Sequence, residues 1–273
     1  MLGRRKVGTP PAPAAVTPIP ARVPAALREG STSFGTAYFG VRDAAHYRAD
    51  LAAIAAQGFD WVVLPFTHDD ALWEVSTFAH QVATARDLGL TTLISLWGGV
   101  EFGGEGVQGP MSLDTWLERA RSTGADGLHV DEPTVQSLTL DDLLDRWGDD
   151  GTAWLTIQPD RARELRRSVI RRVAVLGTDA YEGDTDERVA ATLGFATDAG
   201  RLDLAWVQAF RILDGEEPLV GEALAAMAGL APYVGVWGWM GCTGRGVLRC
   251  SNPQLVQDVV AEAIARVALT QAA

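Results

Sequence analysis

Lysine occurs once in the 273 residues, at Lys6, against frequent arginine, and with abundant alanine this reads as coding bias that carries no function. Cysteine is almost as scarce: Cys242 and Cys250 lie close together in a glycine-rich stretch, a spacing that matches no four-ligand zinc motif. A disulfide and a pair of free thiols both remain open for them. There are four histidines and no His-x-His pair at the end of a first strand, which argues against an amidohydrolase-type metal centre. No apolar run approaches the length that spans a bilayer, and the N-terminus lacks the compact apolar core of a secretory signal. The chain therefore reads as soluble, cytoplasmic as written, and secreted if its true start carries an export signal. Neither a dinucleotide-binding nor a P-loop glycine pattern follows any β-rich run, and neither a cofactor nor a metal is expected. Positive charge is short as well: the net charge of −12 disfavours nucleic acid and anionic membranes as partners and favours a neutral or cationic small substrate.

What the chain does have is apolar material. Hydrophobic residues make up 47% and charged residues 21%, enough for a sizeable core. Residues 1–30 are rich in proline and alanine, with Arg4, Arg5 and Lys6 near the start, and suit a flexible arm. Across 31–273, short β-rich runs alternate with longer helical segments. Strands are expected over 36–42, 59–66, 91–97, 127–131, 153–158, 173–181, 204–210 and 233–239. Helices are expected over 43–57, 73–88, from 112, and over 141–147, 161–168, 186–199, 222–228 and 253–269. Eight such units predict a single (β/α)8 TIM barrel, whereas an open doubly wound sheet commonly has fewer strands and a glycine-rich dinucleotide turn.

A barrel strand sends alternate residues toward the helices, where they must be apolar, and toward the interior. The rule turns Leu128 and Val130 outward and His129 and Asp131 inward, and likewise turns Ser95, Trp97, Thr156, Gln158, Trp206, Gln208, Phe210, Trp237 and Trp239 inward. His129 would sit below Asp131 and could orient it. In the sixth strand Asp179 and Tyr181 share a face. The expected mouth collects Asp131, Asp179, Gln158, Gln208, Tyr38, Tyr181, Trp97, Trp237 and Trp239, a mixture of carboxylates, amides and rings that suits sugar: C–H faces stack on aromatics while hydroxyls need donors and acceptors.

Asp131-Glu132-Pro133 ends the fourth strand, and two adjacent carboxylates there are costly to bury without purpose. Glycosidic cleavage needs one carboxylic acid to protonate the leaving oxygen and one carboxylate to attack the sugar or activate water. The assignment is Glu132 as general acid and base, with Asp131 or Asp179 as the second carboxylate, and Glu182 nearby as a substrate contact. His68, Asp69 and Asp70 follow the second strand and could bind hydroxyls or a divalent cation, with capping of the next helix the favoured role for Asp69 and Asp70. Glu101 and Glu105 lie in a glycine-rich loop after the third strand, and Arg211 follows the seventh.

Through the run from Ala125 to Glu132 and the Val236-Trp237-Gly238-Trp239 run, the chain resembles the glycosidase-like β/α-barrel superfamily, and is loosely similar to the endo-polygalactosaminidase-type group. The resemblance spans roughly residues 34–270 and implies a glycoside hydrolase or transglycosidase acting on a carbohydrate substrate. The Asn-Glu step of many retaining barrel glycosidases is absent, and the seventh strand carries Gln208 where those enzymes place a glutamate nucleophile. Two other readings compete: a metal-dependent sugar isomerase, epimerase or aldolase, and a carbohydrate-binding barrel without catalysis.

Overall fold

The alternation of β-rich and helical segments closes on itself. In a computed structural model, which describes residues 31–40, 44–96, 112–131, 139–148, 152–242 and 249–272, eight parallel strands form a closed barrel in sequence order. The strands are β1 (Ser33–Ala37), β2 (Trp61–Phe66), β3 (Thr91–Leu96), β4 (Gly127–Asp131), β5 (Ala153–Ile157), β6 (Val175–Thr178), β7 (Leu204–Gln208) and β8 (Tyr233–Trp237). Around them run α1 (Ala44–Ala56), α2 (His68–Trp73), α3 (Val75–Asp87), α4 (Leu113–Ser122), α5 (Thr139–Trp147), α6 (Arg167–Arg172), α7 (Thr185–Ala199), α8 (Glu217–Ala228) and α9 (Pro253–Gln271). None of the described helices is long and apolar enough to cross a membrane.

Several boundaries differ from the sequence expectation. The first strand lies earlier, at Ser33–Ala37, because Gly35 pairs with Trp61 and the ladder to β2 ends at Ala37. The helix expected over 73–88 is α3, and ahead of it a separate short helix, α2, which sequence reading missed, is started by the Thr67–Asp70 capping box and ends at its C-cap, Glu74. The one expected over 161–168 becomes a 3-10 turn, Pro159–Glu164, followed by α6. Strand β8 stops at Trp237 because Gly238 takes φ +99°.

The interior is filled mainly with indoles. Trp61 packs edge-on against Trp154 at 5.1 Å and Trp206 at 5.5 Å, and Trp206 against Trp237 at 5.0 Å. Rings this large fit only where the adjacent strand has no side chain: a Cβ on Gly35 would overlap the Trp61 indole, and one on Gly235 the Trp206 indole. Outside the strands, Leu64, Ile94, Leu128, Leu155, Val207 and Val234 join the helices in a second apolar layer, as alternation requires.

The bottom of the barrel repeats one device that sequence reading missed. Asp60, Asp126 and Asp203 each immediately precede a strand (β2, β4 and β7). Each gives its backbone N–H to the carbonyl of Phe34, Thr92 or Leu176, the second residue of the preceding strand, and accepts that residue's N–H on its carboxylate at 2.9–3.0 Å. A strand's first N–H groups have no ladder partner at the barrel's end, and the aspartate supplies one. Asp126 additionally takes two hydrogen bonds from the Arg86 guanidinium, at 3.2 and 2.8 Å.

Candidate functional site at the barrel mouth

The strands are parallel, so all their C-terminal ends open at one mouth, where β/α barrels carry their chemistry. Asp131 is the last residue of β4, half-buried and in register with Thr156 of β5. It shares the inward face with His129, whose ring meets the interior rings of Trp206 at 5.5 Å and Trp237 at 6.0 Å. Asp179 directly follows β6 and is only 6% exposed. Two residues below it, Gly177 faces Leu204 of the interior cluster, so the pleat turns Asp179 inward too.

Aromatic rings gather at the same end of the barrel. Tyr181 meets Phe210 edge-on at 5.3 Å, Phe39 meets Trp237 at 5.8 Å, and Tyr181, Phe210 and Phe39 all rest on the interior cluster that contains Trp237. Gln208, half-buried at the end of β7, donates its Nε2 to the Phe210 carbonyl at 2.8 Å. Arg211 stands over the Phe210 ring at 5.9 Å and has φ 56°, as does Met240 beyond β8. A non-glycine residue in the left-handed region costs roughly 1 kcal/mol or more, and such strain persists where surroundings hold it, often beside functional sites. Of the aromatic residues here, Phe39 was missed as a mouth residue because the strand expected over 36–42 misplaced the β1 register.

Of the remaining described candidates, Tyr38 and Trp239 sit in the helix layer, while Gln158 and Glu182 are exposed just beyond β5 and β6. Tyr38 is buried in the strand-helix layer, gives its hydroxyl to Asp50 of α1 at 2.7 Å and meets Trp239 edge-on at 5.9 Å. Trp239 was expected inward; instead it packs on the outer layer and gives its indole N–H to Gln57, because alternation ends with the strand at Gly238. Gln158 is exposed at the start of the 3-10 turn, and Glu182 is exposed ahead of α7. His68 and Asp69 fall in the first turn of α2, but their side chains lie outside the described residues, as do Trp97, Glu101, Glu105 and Glu132 entirely.

His129 is fully buried and does not orient Asp131. Its Nε2 pairs with Thr156 Oγ1 at 2.9 Å and its Nδ1 with Ser95 Oγ at 3.3 Å, so both ring nitrogens are engaged below the mouth. Thr156 Oγ1 also accepts the Trp206 indole N–H at 2.8 Å. Burial drives the His129 pKa down to about 3, and the ring is neutral. Cys250, for which disulfide and thiol were both open, is a buried free thiol that donates to the Ala209 carbonyl at 3.3 Å; burial raises its pKa, and the Cys242 side chain lies outside the described residues. Among the described residues no three His, Cys, Asp or Glu side chains gather as a metal site would require.

No protein-family model and no curated protein matches the chain. Its architecture is similar to that of solved barrels of diverse chemistry. A GH18 chitinase from Pseudoalteromonas aurantia superposes with a TM-score of 0.59 at 12% identity, over 86% of this chain and all of that one. A truncated 3-deoxy-D-arabino-heptulosonate 7-phosphate synthase from Thermotoga maritima gives 0.56 at 13%, over 89% and 88%. Tryptophan synthase from M. tuberculosis gives 0.58 at 12%, over 88% and 95%. Likeness at this identity carries the (β/α)8 fold and nothing finer.

Proposed function

We propose that the chain is a carbohydrate-active hydrolase or transglycosidase that cleaves a glycosidic bond with paired carboxylates at the barrel mouth. The observation that carries this reading is the joint placement of Asp131 on β4 and the buried Asp179 after β6 at the same end of the barrel as Tyr181, Phe210, Trp237 and the Gln208 amide. Rings of this kind accept the C–H face of a sugar, while the amide and carboxylates accept and donate to hydroxyls. In the reaction, one carboxylic acid protonates the glycosidic oxygen and a second carboxylate attacks the anomeric carbon or deprotonates water. Glu132, next in sequence to Asp131, is the acid in this scheme, and Asp131 or Asp179 the second group. The runs at β4 and β8 resemble glycosidase-like barrels in general, and the loose similarity to the endo-polygalactosaminidase-type group makes amino-sugar polymers one substrate class to include.

The test compares wild type with Asp131→Asn, Glu132→Gln and Asp179→Asn on aryl glycosides and polysaccharides, with and without chelator, after circular dichroism shows equal folding. Loss of a positioned acid or base should lower kcat by at least ~100-fold in the variants of the catalytic pair, with no effect of chelator. Equal turnover in all four proteins refutes the assignment; turnover abolished by chelator moves the reading to a metal-dependent sugar isomerase, epimerase or aldolase. Sugar affinity without turnover in wild type moves it to a binding barrel.

A further inference from the structure

Pro65 lies within β2, where a parallel ladder needs its N–H groups. Tyr38 gives its N–H to the Val63 carbonyl at 2.9 Å, and the next rung toward β1 would be the N–H of residue 65 donated to the Tyr38 carbonyl. Proline has none to give, so the β1–β2 pairing stops at Ala37↔Val63 while β2–β3 continues through Phe66↔Leu96. The two strands part beside the mouth, and the gap opens into a cleft of about 140 Å³ lined by Tyr38, Phe39, Gly40, Pro65, Asp70, Phe78 and Gln81.

Gln81 is the anomaly there. The buried face of α3 is Phe78, Gln81, Val82 and Ala85, the i, i+3, i+4, i+7 stripe of an amphipathic helix, with one amide where an aliphatic residue would pack. Gln81 is 3% exposed, and its side chain makes no hydrogen bond to any described residue. Its amide nitrogen and oxygen stay accessible from the cleft, so they bond whatever fills it. Its place in the lining directs it at whatever occupies the cleft.

We propose that this cleft, which borders the mouth at Phe39, is a second binding site, for one small neutral polyhydroxylated ring, with the Gln81 amide and Asp70 carboxylate bonding its hydroxyls and the Phe78 and Tyr38 rings against its C–H face. An amide carries donors and an acceptor, the complement of a hydroxyl. Asp70 accepts the Thr67 N–H at 2.9 Å and hydroxyl at 2.8 Å, and these bonds hold its carboxylate in place as an acceptor for hydroxyls. The volume is below the roughly 300 Å³ at which drug-sized pockets begin, so it holds a single ring and no longer chain. The choice of sugar as ligand rests on the carbohydrate reading of the mouth; the site itself rests on the cleft and the buried amide.

The experiment is an NMR titration of the Gln81 side-chain NH2 signal, assigned by its loss in Gln81→Leu, with D-glucose, D-galactose, N-acetyl-D-glucosamine, D-galactosamine and, as a cationic control, tetramethylammonium. One or more of the neutral sugars should move the signal saturably in wild type and equally in Asp131→Asn and Asp179→Asn. Gln81→Leu, which removes a buried amide without emptying space, should keep the wild-type Tm or exceed it and weaken that sugar's binding, followed by other cleft signals, at least tenfold. A signal moved by none of the sugars, one moved only by a cation, or sugar affinity unchanged in Gln81→Leu overturns the proposal. Loss of sugar binding in the mouth variants with Gln81 intact also overturns it, by locating the binding in the mouth. A mouth without turnover but with a Gln81-dependent shift refutes the proposed reaction alone.

Discussion

Acid should destabilise this barrel through His129. The unfolded chain holds a histidine with an ordinary pKa of 6.5, whereas the native ring, fully buried and bonded to Ser95 and Thr156, has a pKa of about 3. Above the unfolded value neither state carries the proton, and stability is insensitive to this group. As pH falls through the window between the two values, the unfolded state binds a proton that the native state refuses, so stability drops by up to ~1.4 kcal/mol per pH unit; below the native value the loss stops. From about pH 7.5 to about pH 4.5 His129 alone should cost on the order of 3 kcal/mol. Carboxylates titrate in the same range, so the measurement is a difference: urea unfolding followed by tryptophan fluorescence at both pH values, for wild type and for His129→Gln. The glutamine amide can bond both hydroxyls and does not titrate. Wild type should lose about 3 kcal/mol more than the variant over that interval. Equal losses refute the reasoning. So does an NMR titration in which the His129 ring signals of native wild type move between those pH values, a readout that stands even if the variant folds poorly.

Two further outcomes follow from the packing. Gly35→Ala forces a Cβ into the indole of the fully buried Trp61, which cannot swing aside, so the cost should reach the upper part of the ~1–3 kcal/mol range for overpacking. Adding Trp61→Leu should recover part of it, a non-additivity read by urea unfolding, and a Gly35→Ala variant within about 0.5 kcal/mol of wild type contradicts the packing account. Asp126→Asn turns an amide NH2 toward donors on Thr92 or Arg86 and leaves a charge-assisted bond unmade, so unfolding stability should fall by about 2–3 kcal/mol; scanning calorimetry should show Tm lower by roughly 5 °C or more, and a change under about 2 °C sinks the clamp.

The barrel was legible from the residues because its signals are local. Two-sided burial forces Leu128 and Val130 outward and His129 and Asp131 inward whatever the strand's neighbours, so the alternation read along β3, β4, β5 and β7 needed no partner to interpret. The rule holds only while the chain is a strand. Gly238 ends β8, and Trp239, two residues beyond Trp237, swings into the helix layer to meet Tyr38 and Gln57. The position of β1 depended on residues far apart in sequence, since Gly35 marks the strand only through Trp61, which needs the space a side chain would take. Tertiary packing likewise spent both His129 nitrogens on Ser95 and Thr156, one from each neighbouring strand. Gln81 reads in sequence as a polar residue on a helix; that it is buried, and faces a gap opened by Pro65 on another element, is a relation between distant side chains that no local pattern encodes. Residue type and spacing determined the number of strands and their alternation with helices, and three-dimensional closure decided where β1 begins and which side chains share the mouth, because only closure brings strands distant in sequence within contact range.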